Sequence, residues 1–209
     1  MPKVMFSRLG RYECAAEILK GRRGTVLDIG ARHGVMRQHL DPTLTYRTAD
    51  RSGEHDFNLN LEVPLEMADR SFDYTIALDV IEHVDNIHGA LHEILRITNR
   101  SSIISLPSMA GYTSRLRFLL SGSFATDKYD LPVEPVDDRH RWLTTARDIL
   151  PFYEEAAQKC GFYIEQLVWE ADGGRVGRRA SLALLRARLL PISLLTRRAT
   201  ACFTRLEYA

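Results

Sequence analysis

Residues 25–34 read Thr-Val-Leu-Asp-Ile-Gly-Ala-Arg-His-Gly: a short apolar run that ends on an acid and then breaks at two glycines. An apolar run without polar alternation suits a strand buried on both faces. Gly30 and Gly34 let the backbone approach a ligand closely, and the amides at the start of an expected following helix would offer donors to an anionic group. Asp28, at the strand end, can help hold a cation. The spacing Asp28-x-Gly30-x-x-x-Gly34 matches neither the GxxxxGK[ST] of a phosphate-binding loop nor the GxGxxG of a dinucleotide site. That argues against triphosphate and nicotinamide chemistry. An ordinary strand-to-helix turn with a capping aspartate is the plainer alternative.

On the N-terminal side, Leu9, Tyr12, Ala16 and Leu19 share a helical face in Arg8 to Lys20, and Gly21 stops the run. On the C-terminal side, apolar segments at Leu44 to Ala49, Phe57 to Leu59 and Tyr74 to Leu78 alternate with helix-like ones. A helix is expected at Ile87 to Ile97, with Ile87, Leu91, Ile94 and Leu95 in register, then a buried strand at Ser102 to Leu106. Strand and helix in alternation predict an α/β, doubly wound parallel sheet. After Pro107 the pattern breaks as far as residue 142, with a short amphipathic piece at Leu116 to Leu120 and a Pro/Asp-rich stretch from Asp127 to Asp138. A connection that long usually has a function of its own. A helix from Thr144 to Cys160, kinked or split at Pro151 and capped by Gly161, precedes strands at Phe162 to Trp169 and Thr200 to Tyr208.

With 209 residues, 45% of them hydrophobic, the chain fits one domain spanning 1–209. No apolar run reaches the roughly 18–20 residues of a membrane span, and the first residues lack a signal-like apolar region. A cytoplasmic protein is expected. Cys14, Cys160 and Cys202 are far apart and odd in number, so they suggest neither a disulfide framework nor a zinc site. Net charge is +1, but the eight arginines and one acid from Arg175 onward carry +7 and leave −6 on the rest. Residues 175–198 form a basic amphipathic segment before the last strand. There Leu182, Leu185 and Leu189 make a stripe among arginines 178, 179, 186 and 188, suited either to the inner face of an anionic membrane or to docking on the protein's own sheet.

Farther along, Asp50 closes the second strand, where a carboxylate can accept both hydroxyls of a ribose. The combination of Leu27 to Gly34 (LDIGARHG), Ala49-Asp50, Ser71 to Val84 (SFDYTIALDVIEHV), Leu91 to Ile97 (LHEILRI) and Ser102 to Ser108 (SIISLPS), in this order, resembles the class I S-adenosylmethionine-dependent methyltransferase superfamily. Within it, the likeness is to the methyltransferase type 11, MetW-like group, and it covers about Gly24 to Trp169. The resemblance implies a Rossmann-like seven-stranded sheet, mostly parallel with the last strand antiparallel, and an insertion at 108–142 on the substrate side after the fifth strand.

By that resemblance the cofactor is S-adenosyl-L-methionine, leaving as S-adenosyl-L-homocysteine. Gly30, Ala31 and Gly34 would line its methionine and ribose portion, Asp28 would orient its ammonium group, and Asp50 would hold the ribose. Asn58, with Asp56 as the alternative register, would accept from the adenine amino group beside Leu59, and Leu78 and Asp79 would flank the sulfonium. Arg32 stands where the family has its middle glycine, so its side chain must point away from the cofactor or reach the cofactor's carboxylate.

For an acceptor's proton the candidate receivers are His140, which related domains commonly place at the mouth of the acceptor pocket, and His83 in the Asp79-x-x-Glu82-His83 cluster. That cluster also has metal-like spacing, yet the group's relatives use no metal and none is expected. Tyr112, Arg115 and Arg117 could touch an acceptor. The expected activity is O- or N-methylation of a small molecule or a lipid-linked or envelope glycan precursor. The alternative is a non-catalytic MetW-like partner that regulates an acyltransferase in methionine biosynthesis. Partners expected are a small-molecule or glycan-type acceptor, peripheral contact with an anionic membrane, and a second copy in a homodimer. Nucleic acid is not expected, since an NPPY-type tetrad is missing after the fourth strand.

Overall fold

The computed structural model describes residues 2–124, 128–136 and 138–208, with Arg175 and Tyr208 as backbone only; Asp127 and Asp137 of the Pro/Asp-rich stretch lie outside the described residues. Eight strands form one sheet: β1 (Lys3–Ser7), β2 (Gly24–Ile29), β3 (Leu44–Asp50), β4 (Phe57–Asn58), β5 (Phe72–Leu78), β6 (Thr98–Pro107), β7 (Phe162–Ala171) and β8 (Thr196–Arg205). Their spatial order is β1-β7-β8-β6-β5-β2-β3-β4. Among the described residues only β8 is antiparallel, inserted between β6 and β7. The sheet thus has one strand more than the seven expected. The extra strand, β1, pairs in parallel with β7 at the edge. Its five residues are too short and too exposed to carry a periodic signal, and its partner lies more than 150 residues away in sequence.

Successive residues of the central strands face opposite layers. Leu27, Ala77 and Ile104 pack beneath helices α2 (Ile87–Ile97) and α4 (Ala146–Cys160), among Leu91, Ile94, Tyr153 and Ala156. Val26, Ile76 and Ile103 pack on the other side with Ala15 and Leu19 of α1 (Arg11–Leu19) and with Met36. Burial on both faces is why these strands read as continuous apolar runs. Asn86 starts α2 by accepting the Gly89 amide at 2.9 Å. Pro151 lies inside α4, which remains one helix, and Gly161 ends it in the left-handed region at φ +73°.

Two elements differ from expectation. After Gly34 there is no α-helix, only a single 3₁₀ turn, Val35–Gln38. Asp41-Pro42 follows after His39 and Leu40, and the residue before a proline is driven out of the helical region, so little room is left for a helix to propagate. The last strand begins at Thr196 rather than Thr200, and the basic segment becomes α5 (Arg175–Arg186) followed by the short α6 (Ile192–Leu195), with α3 (Tyr112–Ser121) lying earlier in the chain after β6. Leu182 and Leu185 of α5 are buried with Ala171 and Leu195, and Phe6 and Tyr112 pack against them. Leu189 stays 69% exposed. Most of the leucine stripe is therefore covered by the protein's own sheet edge. No helix among the described residues is long and apolar enough to cross a membrane.

Candidate functional site

From β2 the chain winds outward through β3 and β4, and from β5 it winds the other way. A crevice is therefore left outside the carboxyl ends of β2 and β5, the general place for ligands in such sheets. Here it is a cavity of ≈ 1270 Å³. Asp28, Gly30, Ala31, Asp50, Leu59, Leu78, Asp79, His83 and His140 all line it; Gly34 and Asn58 do not. Asn58 is exposed on the two-residue β4. The alternative, Asp56, spends its carboxylate on Arg47 and on the amide and hydroxyl of Thr48. Leu59, Asn60 and Leu61 take the wall position instead.

The first end of the cavity is built on the β2 loop. Gly30 has φ +73°, and a Cβ there would lie 2.5 Å from Val80 Cγ2, so the turn admits only glycine without rearrangement. The loop amides are already used: Gly30 and Ala31 donate to Ala49 O, and Arg32 donates to Asp50 Oδ2 at 3.0 Å. The donors expected from a helix start are thus spent on β3. Asp50 also accepts from the Arg51 amide at 2.7 Å. Arg32, at φ +46°, reaches with its guanidinium to Asp138 at 2.9 Å. Asp138 also pairs with Lys128, so the loop after β2 and the segment before α4 are tied together across the cavity. Asp28 is 5% exposed. Burial pushes its pKa up to about 6, against the lowering effect of the 2.5 Å hydrogen bond from Tyr46 and with the Asp50 charge adding to the rise.

The other end centres on the tip of β5. Asp79 accepts from Arg11, Arg198 and Ser105. Burial opposes its ionisation, but the charge and hydrogen bonds of Arg198, then Arg11, outweigh that and hold its carboxyl well below the usual carboxylate range. Asp79 is therefore fixed as an anion. Arg198 continues to the buried Glu170, which Arg178 and Arg197 also approach, so α1, β5, β7 and β8 share one charge network beneath the cavity.

Glu82 and His83 lie on the 3₁₀ turn Ile81–His83. Glu82 is fully buried, and neither of its carboxylate oxygens has a hydrogen-bond partner among the described residues. Burial, with the Asp79 charge adding, raises its pKa well above the ordinary value. His140 comes from the far end of the insertion and stacks edge-on against His83 with ring centroids 4.6 Å apart. Burial, then His83 and Lys128, pushes the His140 pKa down to about 4. Burial lowers that of His83 as well, against its bond to the Arg139 carbonyl. Both rings are neutral near pH 7.

Of the insertion residues singled out by sequence, Tyr112, Arg115 and Arg117 do not line the cavity, whereas their neighbours Thr113 and Ser114 do, with Ser108, Met109 and Lys128. A helix of period 3.6 turns adjacent residues to different faces, and only docking decides which face looks inward. Arg11 and Arg198 had no local motif to reveal them, since each acquires its meaning from Asp79 across the fold.

A family model described as methionine biosynthesis protein MetW matches residues 51–168. No curated protein matches. Among solved structures, a putative methyltransferase from Bacillus halodurans C-125 superposes with TM-score 0.55 at 13% identity, over 93% of this chain and 97% of that one. The YcgJ protein from Bacillus subtilis gives 0.56 at 14%, over 93% and 97%. An S-adenosylmethionine-dependent methyltransferase from Mesorhizobium loti gives 0.53 at 12%, over 94% and 98%. At such identities the likeness is one of fold.

Proposed function

We propose, on the premise that this chain belongs to the methionine biosynthesis protein MetW family, that it transfers a methyl group from S-adenosylmethionine. The acceptor is an oxygen or nitrogen of a small molecule or of a lipid-linked or envelope glycan precursor. The observation that carries this reading is the convergence of Asp28, Gly30, Asp50 and Leu78 with His83 and His140 on one cavity at the switch point of the sheet.

The residues present fit the cofactor. A buried carboxyl such as Asp28, raised by desolvation, gains from a neighbouring ammonium group. Asp50 keeps lone pairs beyond the two amides it accepts and can take ribose hydroxyls. Gly30 keeps the loop thin, and Leu59, Asn60 and Leu61 supply the wall for an adenine in place of Asn58. When bound, the cofactor supplies a methyl group on a positively charged sulfur, open to in-line displacement. The chain's own contribution is to align the acceptor and exclude water. Ser108, Thr113 and Ser114 offer hydroxyls to an acceptor, Asp138 ties the insertion over the loop, and the neutral imidazoles of His83 and His140 face the space where a proton is released. Asp79, pinned by two arginines, stays an anion and takes no part in proton transfer.

Calorimetry with S-adenosylhomocysteine, followed by methyl-transfer assays on hydroxyl and amine acceptors, tests the reading. Micromolar binding with turnover is expected, and no binding to folded protein overturns it. The family description names methionine biosynthesis, and a second reading in keeping with it is a non-catalytic partner of an acyltransferase in that synthesis. Cofactor binding without turnover on any acceptor, together with co-purification of an acyltransferase, would establish that one.

A further inference from the structure

The proton positions around Glu82 follow from its neighbours. His83 Nδ1 lies 2.9 Å from the carbonyl oxygen of Arg139, which can only accept, so that nitrogen carries the ring proton. Tyr129 donates its hydroxyl proton to the carbonyl of Trp142 at 2.8 Å, and therefore accepts from His140 Nδ1 at 3.0 Å. Both neutral rings are left with the unshared electron pair on Nε2. His140 Nε2 is 3.8 Å from Glu82 Oε1, too far for a hydrogen bond. A fully buried carboxyl with no donor on either oxygen among the described residues thus lies beside the His140 lone pair, and one ligand atom from each of Glu82, His83 and His140 lies within 4.8 Å of the others. Once ionised, such a carboxylate has no compensating charge or donor beside it, so the group holds either a proton or a metal cation.

We propose that Glu82, His83 and His140 bind one divalent transition-metal ion at the acceptor end of the cavity. Two imidazoles and one carboxylate are a donor set for zinc, cobalt, iron or manganese, whereas magnesium and calcium prefer oxygen throughout. The Arg139 carbonyl and the Tyr129 hydroxyl orient the two rings from behind, as second partners of metal-bound histidines do. Ligands about 2.1 Å from an ion in a tetrahedral site stand roughly 3.4 Å apart.

Three protein ligands leave a coordination position open to the cavity. On the methyl-transfer reading, on which this part alone rests, that position selects an oxygen acceptor. A hydroxyl held there loses its proton to water, its oxygen pair forms the bond to the methyl carbon, and the carbon–sulfur bond breaks with its pair left on sulfur. The histidines then act as ligands, and solvent takes the proton.

Chelator-stripped full chain titrated calorimetrically with zinc chloride should bind one ion per chain, and cobalt chloride should give visible absorption bands. His140→Ala should weaken zinc binding at least a hundredfold and abolish those bands, and Tyr129→Phe, which keeps all three ligands, should weaken it by about tenfold to a hundredfold. S-adenosylhomocysteine is titrated into the same samples. Absence of zinc binding, or binding unchanged in both variants, overturns the metal site even where the nucleoside binds. Zinc binding without nucleoside binding upholds the metal site and overturns only the cofactor reading.

Discussion

Burial of Asp28 has a sign that can be worked out. Its carboxyl is raised from 3.8 to about 6, so between about pH 4 and pH 6 the folded protein holds a proton that the unfolded chain has released. Stability of the ligand-free protein from this group should therefore fall as pH rises through that window, by at most about 3 kcal/mol. Asp28→Asn should flatten the dependence in a thermal-melt series against pH. S-adenosylhomocysteine affinity should move oppositely, rising as Asp28 ionises between about pH 5 and pH 7, and a titration indifferent to pH in that range would remove Asp28 from the ammonium site. At Asp50, the alanine variant loses hydrogen bonds to a charged group worth about 1.5–3 kcal/mol each. Nucleoside binding should weaken by at least about tenfold while the circular dichroism spectrum is unchanged. Unaltered affinity would place the ribose elsewhere.

α5 illustrates how one amphipathic pattern serves two surfaces. Arg179 and Arg186 are exposed and Arg178 reaches the buried Glu170, while Leu182 and Leu185 close over Ala171 and Leu195. Truncating a buried leucine costs about 2–5 kcal/mol, so Leu185→Ala should lower the urea midpoint substantially, whereas Leu189→Ala, at a residue 69% exposed, should leave it nearly unchanged. Equal effects of the two would mean that α5 does not dock as described. The turn at Gly30 belongs to the same scale. Alanine there meets both a left-handed backbone and Val80, and a cost of about 1–3 kcal/mol is expected in denaturant unfolding.

Across the whole molecule, the ions under the cavity hold distant segments in one arrangement. Arg198 on β8 joins Asp79 on the tip of β5 to Glu170 on β7, and Arg11 of α1 closes on Asp79 from the other side. Removing one member of a buried pair strands the other charge and costs about 3–5 kcal/mol. Arg198→Met should therefore destabilise the fold by that amount in equilibrium unfolding. Adding Asp79→Asn to it should recover part of the loss, because one stranded charge is gone; strictly additive losses would deny that the two residues are coupled.

Alternating apolar runs from Thr25 to Leu106, the Asp28–Gly30 turn and Asp50 by themselves determined the doubly wound sheet and one end of the cavity, because buried strands and a glycine-bearing turn leave local traces. Tertiary structure alone decided the rest. The strand Lys3–Ser7 exists by pairing with β7. Asn58 faces away from the cavity that Leu59 lines. Asp79, which resembled a member of a catalytic or metal cluster, is claimed by Arg11 and Arg198, while His140 arrives from 57 residues beyond His83 to stand beside Glu82. Contacts between residues so far apart carry no period or spacing, and their electrostatics emerge only when folding removes water from between them.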